Sequence, residues 1–521
     1  MNRLILALFA LLLAIGTCNV ALAQGKAWES LDSEFKSLYS QGRYNDAIVT
    51  AKKMVEVSEK AMGPNHISVA ASLGNLASAY NRLGQYAQAE PAYKRALAIT
   101  EKVKGAESTD AAARMSNLAT MYYGQKEYAQ AEPLYRKSLE INEKALGPEH
   151  PDVAQSLTSL GVLYQAERQY AQAEPLFKRA LAIREKALPA DHADLAASLN
   201  NLAGAHLSQR QYAQAEPLYR RSLAIVEKGN PDSPEVATLL NYLTRIYDNQ
   251  KQYAQSEPLY KRLLAMTEKA KGPNDPSLAL LLNNLGRVLY IQNKNAEAEP
   301  LFKRALAIGE KDDPNGSDVA TSLNYLARMY DSEKKYAEAE PLYKRSLAMI
   351  EKISGPEHRD VTIILNNLAL MYFTQQKFAE AEPLLKRQLA IVEKHAGPDD
   401  PDVAISLTSL AAAYTRQAKY AESVPLFRRA IAIREKAFGA DNAEVSNTLN
   451  NLAAAYYLNK QFEEAEPVWK RALAIREKID GPKSLAVAQL LDNLSRVYVA
   501  TDRNELASEA QKRAKAIREA K

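Results

Sequence analysis

The 521-residue sequence predicts an all-α fold: a solenoid of about twelve helix-turn-helix repeats. Three observations predict it. A marker, Ala-Glu-Pro, recurs at Glu90-Pro91, Glu132-Pro133, Glu174-Pro175, Glu216-Pro217, Glu299-Pro300, Glu340-Pro341, Glu382-Pro383 and Glu466-Pro467. Ser256-Glu257-Pro258 and Ser423-Val424-Pro425 fill the two gaps, and the steps are 42 or 41 residues. Within each period, two segments carry apolar residues at spacings of three and four, the signature of one helical face. Glycine and proline punctuate the period after each second segment.

The unit is clearest from Leu199 to Lys228. Its first half places Leu199, Leu202, Ala203 and His206 on one helical face. Its second half does the same with Tyr212, Ala215, Tyr219, Ser222, Leu223 and Val226. The small Ala203 and Ala215 let the two helices approach closely. Pro217 is expected to fall on an N–H without a helical partner, so the second helix is expected to begin within a turn before it.

Taken in order, the chain opens with a targeting pattern. Met1-Asn2-Arg3 is a short positive start, Leu4 to Ile15 is an apolar run, and Ala21-Leu22-Ala23 precedes Gln24 as a small-x-small cleavage site. The run is too short to favour a membrane span. Residues 1–23 therefore read as a secretory signal peptide cleaved between Ala23 and Gln24, with 24–521 as the mature array. Two alternatives stay open: an uncleaved anchor, and lipid attachment at Cys18, where Ile15-Gly16-Thr17-Cys18 resembles a bacterial lipobox with Thr17 in place of Gly or Ala. Cys18 is the only cysteine, so cleavage after Ala23 leaves none, which suits an oxidising compartment outside the cytoplasm, periplasmic or secreted. Loss of Arg3 takes the net charge from +5 to +4, which gives no case for nucleic acid.

Second helices are marked by Tyr44, Tyr86, Tyr128, Tyr170, Tyr212, Tyr253, Asn295, Tyr336, Phe378, Tyr420, Phe462 and Asn504. The first and last units (28–62 and 484–521) diverge most, as capping repeats should. The two 41-residue steps are expected to lose their residue in loops, at Gly229-Asn230-Pro231 and Asp312-Asp313-Pro314. Gly63, Gly147, Gly272, Gly355, Gly397, Gly439 and Gly481 read as C-terminal caps.

This pattern resembles the tetratricopeptide repeat. Leu202, Ala203, Ala215, Tyr219 and Ser222 match its large-small-small-aromatic-small order, with His206 where other units have Tyr80 or Tyr122. The 42-residue step, the Leu-Asn-Asn-Leu-Ala opening and the Glu-Pro-Leu-Tyr-Lys-Arg second helix look like the kinesin light chain type, over residues 28–520. The resemblance implies an all-α right-handed superhelical solenoid, a scaffold whose first helices line an inner, concave wall. The kinesin role is not expected to carry over, because no heptad-bearing segment precedes the repeats.

On that wall one column reads Asn75, Asn117, Asn201, Asn284, Asn367, Asn451 and Asn493, interrupted by Ser159, Tyr242, Tyr325 and Ser409. A second column reads Asn200, Asn241, Asn283, Asn324, Asn366 and Asn450. Asparagine is a poor choice inside a helix, so its recurrence wants a reason. Its amide both donates and accepts, which suits the backbone of an extended peptide. The resemblance implies that use, since Asn at the matching position holds peptide backbone in kinesin light chains. The competing reading is structural: Asn bridging neighbouring first helices or binding water. Arg245, Arg287 and Arg328 share a position in three successive units, and Arg496 repeats it. They read either as a stripe for an acidic ligand or as partners of Asp248, Asp331 and Asp492; Arg287 has no acidic residue at that spacing.

Each second helix carries a dibasic pair, but Glu90, Glu132, Glu174 and their equivalents precede a base by four, so this face reads as self-paired. His66, His150, His192 and His358 read as loop and capping residues. No nucleophile–base arrangement, phosphate loop or metal motif stands out, so no catalysis and no cofactor are expected. Two functions follow as expectations. The first is an exported, non-catalytic scaffold binding a protein or peptide of acidic character along the concave groove. The second is a cell-envelope structural or polyanion- or carbohydrate-binding element using the convex basic face.

Overall fold

The computed structural model describes residues 27–520; the Ala23–Gln24 junction and Cys18 lie outside them. Twelve helix pairs and no strand occupy the described residues. The first helices are α1 (27–40), α3 (Ile67–Arg82), α5 (Thr109–Gly124), α7 (Pro151–Ala166), α9 (Ala193–Ser208), α11 (Pro234–Asn249), α13 (Ser277–Ile291), α15 (Ser317–Ser332), α17 (Arg359–Thr374), α19 (Pro401–Arg416), α21 (Ala443–Leu458) and α23 (Leu485–Ala500). The second helices are α2 (Tyr44–Met62), α4 (Tyr86–Lys104), α6 (Tyr128–Leu146), α8 (Tyr170–Ala187), α10 (Tyr212–Gly229), α12 (Tyr253–Lys271), α14 (Asn295–Asp312), α16 (Tyr336–Ser354), α18 (Phe378–Ala396), α20 (Tyr420–Phe438), α22 (Phe462–Asp480) and α24 (Asn504–Glu519). Each predicted marker is the first residue of its helix.

The markers sit there because a tight turn repeats. In ten of the turns between the paired helices, a non-glycine residue such as Arg210 (φ 59°) or Ala418 (φ 56°) adopts the left-handed conformation. The next residue's N–H then reaches back to close the first helix: Gln211 N donates to His206 O at 2.9 Å. This turn fixes where the second helix starts, and it corrects the proline expectation. α10 begins at Tyr212, so Pro217 lies more than one turn inside it, and every marker proline is likewise interior. Ala213, whose carbonyl would have received the missing bond, is exposed and leaves that oxygen to water.

At the far end, the predicted glycines adopt φ of 82–94°, which side chains other than glycine resist. The short steps are taken differently from the expectation. α10 and α14 end one residue early, at Gly229 and Asp312, and their caps Asn230 and Asp313 turn extended. Losing the last residue of a helix shifts no face, so it is as harmless as losing one from a loop. His66, His150, His192 and His358 cap first helices: each Nδ1 accepts from a backbone N–H two residues on, at 3.1–3.2 Å.

The described residues form two compact units that divide between Leu259 and Tyr260. In each, a first helix packs on its own second helix, and that second helix packs on the next first helix. In the first unit the core runs through Leu73, Tyr93, Leu118, Tyr135, Leu160 and Phe177. In the second it runs through Tyr343, Leu368 and Leu385, and again through Phe427, Leu452 and Trp469.

Charge joins repeats on the outer side. The marker glutamate accepts from a base four residues on, as with Lys94 to Glu90 at 2.6 Å. It also accepts from the first-helix tyrosine of the next repeat: Tyr122 to Glu90 at 2.9 Å, Tyr164 to Glu132 at 2.7 Å, Tyr372 to Glu340 at 2.8 Å. The second base of most pairs reaches the preceding repeat, as Arg95 does to Glu59 at 2.6 Å and Arg429 to Glu393 at 2.5 Å.

These contacts make the array acid-sensitive. Lys386, then Lys419, hold the Glu382 carboxyl down to about 2, and Lys94, then Tyr122, lower that of Glu90. A carboxylate lowered in the folded state stabilises it fully above its ordinary value and loses that contribution as pH falls. The unfolding temperature is therefore expected to hold near neutrality and to drop from about pH 4.5 toward about pH 2. Glu382→Gln should flatten part of that drop in a pH series of thermal melts.

Candidate functional site

Every column asparagine but Asn75 precedes a buried core leucine by one or two residues, so it lies on the flank of the first helix beside its core stripe. The structure divides the asparagines by what they touch. Asn75 Nδ2 donates to Asp32 Oδ1 at 3.3 Å, Asn367 to Asn324 at 3.1 Å and Asn493 to Asn450 at 3.0 Å. In each case the first-column amide crosses to the first helix of the preceding repeat. Asn450 Oδ1 also accepts from Trp469 Nε1 at 2.8 Å. These bridges realise the structural reading of the columns.

Asn283 is a correction to the peptide-binding set. It is 2% exposed; its Nδ2 donates to Asp318 O at 3.0 Å, and its Oδ1 accepts from Ser322 at 2.7 Å. It fastens α13 to α15 and has no surface for a ligand. Asn200 and Asn366 are half-buried; Asn200 Oδ1 is enclosed without a partner, and Asn366 Oδ1 meets Gln388 Nε2 at 3.5 Å. By contrast Asn117, Asn201, Asn241, Asn284 and Asn451 keep at least part of their side chains at the surface, with no hydrogen-bond partner among the described residues. Where tyrosine interrupts the column, it stacks on a second-helix ring: Tyr242 on Tyr219 at 4.9 Å and Tyr325 on Phe302 at 5.0 Å.

The arginines also divide. Arg245 is exposed beside Tyr219, and Arg287 is half-buried and engaged within the protein. The expected Arg328–Asp331 pair does not form. Arg328 lies over the rings of Tyr290 (5.0 Å) and Tyr325 (5.5 Å), and burial pushes the Asp331 carboxyl up. Nor does Arg496 pair with Asp492, which Arg518 takes instead.

In the second unit the wall opens into three cavities. One of about 230 Å³ is lined by Asn366, Leu370, Phe373, Leu385, Ser409 and Ala412. Phe373 and Ala412 also line the next, of about 320 Å³, with Arg416, Asn451, Tyr457, Trp469, Asn493 and Arg496. The third, about 550 Å³, lies toward the N-terminal ends of α17 and α19, between Ile363, Gln388 and Ile405. Neither Arg416 nor Arg496 has an acidic partner among the described residues, so this part of the wall is positive.

Phe373, Trp469 and Arg416 do not stand out in the sequence. The aromatics share their period with core residues. Gln388, however, stands alone in a column otherwise filled by small side chains in most repeats, among them Ser138, Ala180, Ser222, Ser346 and Ala430. Those serines donate to a carbonyl of their first helix, as Ser346 does to Ala320 O at 2.7 Å. Gln388 is 9% exposed and its Oε1 is buried without a partner, an arrangement that costs about 1–3 kcal/mol. Gln388→Ser is expected to raise stability by about 1 kcal/mol in a denaturant titration.

Among the described residues no group of three or more His, Cys, Asp or Glu is placed to hold a metal, and no helix is long and apolar enough to cross a membrane. What the wall offers is hydrogen-bonding amides, guanidinium groups and apolar hollows.

A profile of the tetratricopeptide repeat matches residues 36–102, 110–186, 194–269, 235–311, 318–394, 360–436 and 444–520. The chain belongs to the tetratricopeptide repeat family, whose members generally act as protein-interaction scaffolds and are typically non-catalytic. None of the curated proteins matches it in sequence. Among solved structures it is similar to a kinesin light chain-type protein of Podosopora anserina with nearly identical TPR-like repeats, at 27% identity over 40% of this chain and 99% of that one, TM-score 0.37. A singly substituted form of that protein gives the same values. It is also similar to BtubC (BKLC) of P. vanneervenii, at 24% identity over 40% of this chain and 82% of that one, TM-score 0.36.

Proposed function

We propose that this protein is an exported scaffold that binds an extended segment of a partner protein along its first-helix wall, the concave groove of the repeat. The observation that carries the reading is the wall of the second unit. There Asn451, without an internal partner, sits beside two unpaired guanidinium groups, Arg416 and Arg496, in one open cavity. Amides would hold the partner's backbone, and the guanidinium groups would favour acidic side chains. Export rests on residues 1–23, and cleavage after Ala23 would leave a mature protein without cysteine, suited to the periplasm or the exterior.

The other reading, an envelope element that binds polyanions through the basic outer face, has less support. The bases there are engaged by glutamates of their own and neighbouring repeats, as at Lys344–Glu340 (2.6 Å) and Arg304–Glu268 (2.5 Å). The test is capture from envelope extract by the mature protein, beside a variant with Asn117, Asn201, Asn284 and Asn451 changed to Ala. Loss of a partner by the folded variant supports the groove. Equal capture by both, abolished by salt, supports the outer face instead. The mass of the exported protein checks cleavage after Ala23.

A further inference from the structure

We propose that the crevice between α17 and α19 is an anchoring slot for the partner segment: an extended stretch whose aliphatic side chains insert between the two helices, with a carboxylate at the end that meets Arg416 and Arg496. The proposal rests on the groove reading above and makes it specific.

Four observations place it there. The facing residues follow one stripe on each helix, Ile363, Asn366, Leu370 and Phe373 on α17, and Ile405, Ser409, Ala412 and Arg416 on α19. Their spacings of three and four put each set on one face, and the hollows they line follow one another along it. Second, the aliphatic members are bare: Ile363 is 57% exposed, Leu370 56% and Ile405 54%. In the first unit, the positions matching Ile363 and Ile405 hold Ala113, Gln155 and Ala197, so the apolar lining belongs to this region and not to the repeat as such.

Third, the crevice holds an unsatisfied amide. Most repeats put serine or alanine where α18 has Gln388, and this longer side chain lines the hollow between α17 and α19. Its amide fails to satisfy itself there: Oε1 has no partner, and Nε2 reaches Asn366 at 3.5 Å. Fourth, the two mouths differ in charge. At one, Arg359 and Asp402 neutralise each other at 3.4 Å. At the other, Arg416 stands without an acidic partner among the described residues, and Arg496 of α23, equally without one, lines the adjoining cavity. A segment with an acidic end therefore has one favoured direction.

The slot matches an extended chain in length. The stretch from Ile363 to Phe373 is about 15 Å long, the length of four or five residues of extended chain.

The probe is a displayed library of random nonapeptides, selected on the whole protein, with the enriched peptides then synthesised and titrated. Enriched peptides should carry Leu, Ile or Val at alternate positions and Asp or Glu at one end. Gln388→Ser and, separately, Leu370→Ser should weaken their binding by about tenfold or more while circular dichroism stays unchanged. Arg416→Ala with Arg496→Ala should remove the preference for the acidic end. Full binding by both Gln388→Ser and Leu370→Ser would overturn the slot. If the Asn201, Asn284 and Asn451 triple alanine variant loses those same peptides, the groove reading survives that result. If no variant changes binding, or wild type enriches nothing, both readings fail. Enriched sequences with apolar residues at spacings of three and four would overturn the extended conformation.

Discussion

Replacing Asn117, Asn201, Asn284 and Asn451 together by alanine is expected to weaken a partner that engages all four by roughly 30-fold to 10⁴-fold. The range follows from about 0.5–1.5 kcal/mol for each hydrogen bond and 1.4 kcal/mol for each tenfold in affinity. The amides of these four have no hydrogen-bond partner among the described residues. Removing them breaks nothing inside the protein. Alanine also has the higher helix propensity, so thermal stability should hold or rise while affinity falls. That opposition separates a binding residue from a structural one. Asn367→Ala should behave the other way, since it leaves Asn324 Oδ1, its acceptor at 3.1 Å, without that donor, and so should lower stability more than affinity. Titration calorimetry with the captured partner, beside thermal melts, reads both quantities.

Phe302→Ala is expected to cost about 3–5 kcal/mol of stability. Phe302 is fully buried, and its ring lies so close to α13 that a Cβ at Gly286 would sit 2.7 Å from Cε1. Tyr325 stacks on it at 5.0 Å with the planes 5° apart. The substitution removes a large apolar surface and leaves a hollow that a tight helix pair cannot collapse around. In a repeat array stability passes from neighbour to neighbour, so the damage should be local. Hydrogen exchange should show amides of α13 to α15 losing protection first, while those of α21 and α22 keep theirs. Uniform loss along the second unit would show that it unfolds as one block.

Those elements of the fold that repeat were legible in the sequence. The marker tyrosines fall at the helix starts because a left-handed turn before each fixes the register, and its residue can be Lys, Arg, Gln or Ala. That same freedom hid the turn, and with it the interior place of Pro217. The site was legible only in outline. A column of asparagines can be read from spacing, but which amide faces solvent and which bridges two helices depends on the neighbour one repeat away. Asn283 and Asn284 are adjacent, yet the first is locked between helices by Asp318 and Ser322 while the second has no such partner. Tyr122 shares its period with core residues and its ring is buried, but its hydroxyl finds Glu90 across the repeat boundary. Gln388 carried its own signal, a long polar side chain in a column of small ones, and only the packing around it shows what that does.

The central claim is that partners bind the first-helix wall. A photo-crosslinking residue placed at Ala454, which lines the wall cavity with Asn451 and Arg496, tests it against the same residue at Arg471 on the outer face. The partner is expected to crosslink from position 454 and not from position 471. Crosslinking from 471 alone, with the protein folded in both cases, would contradict the claim.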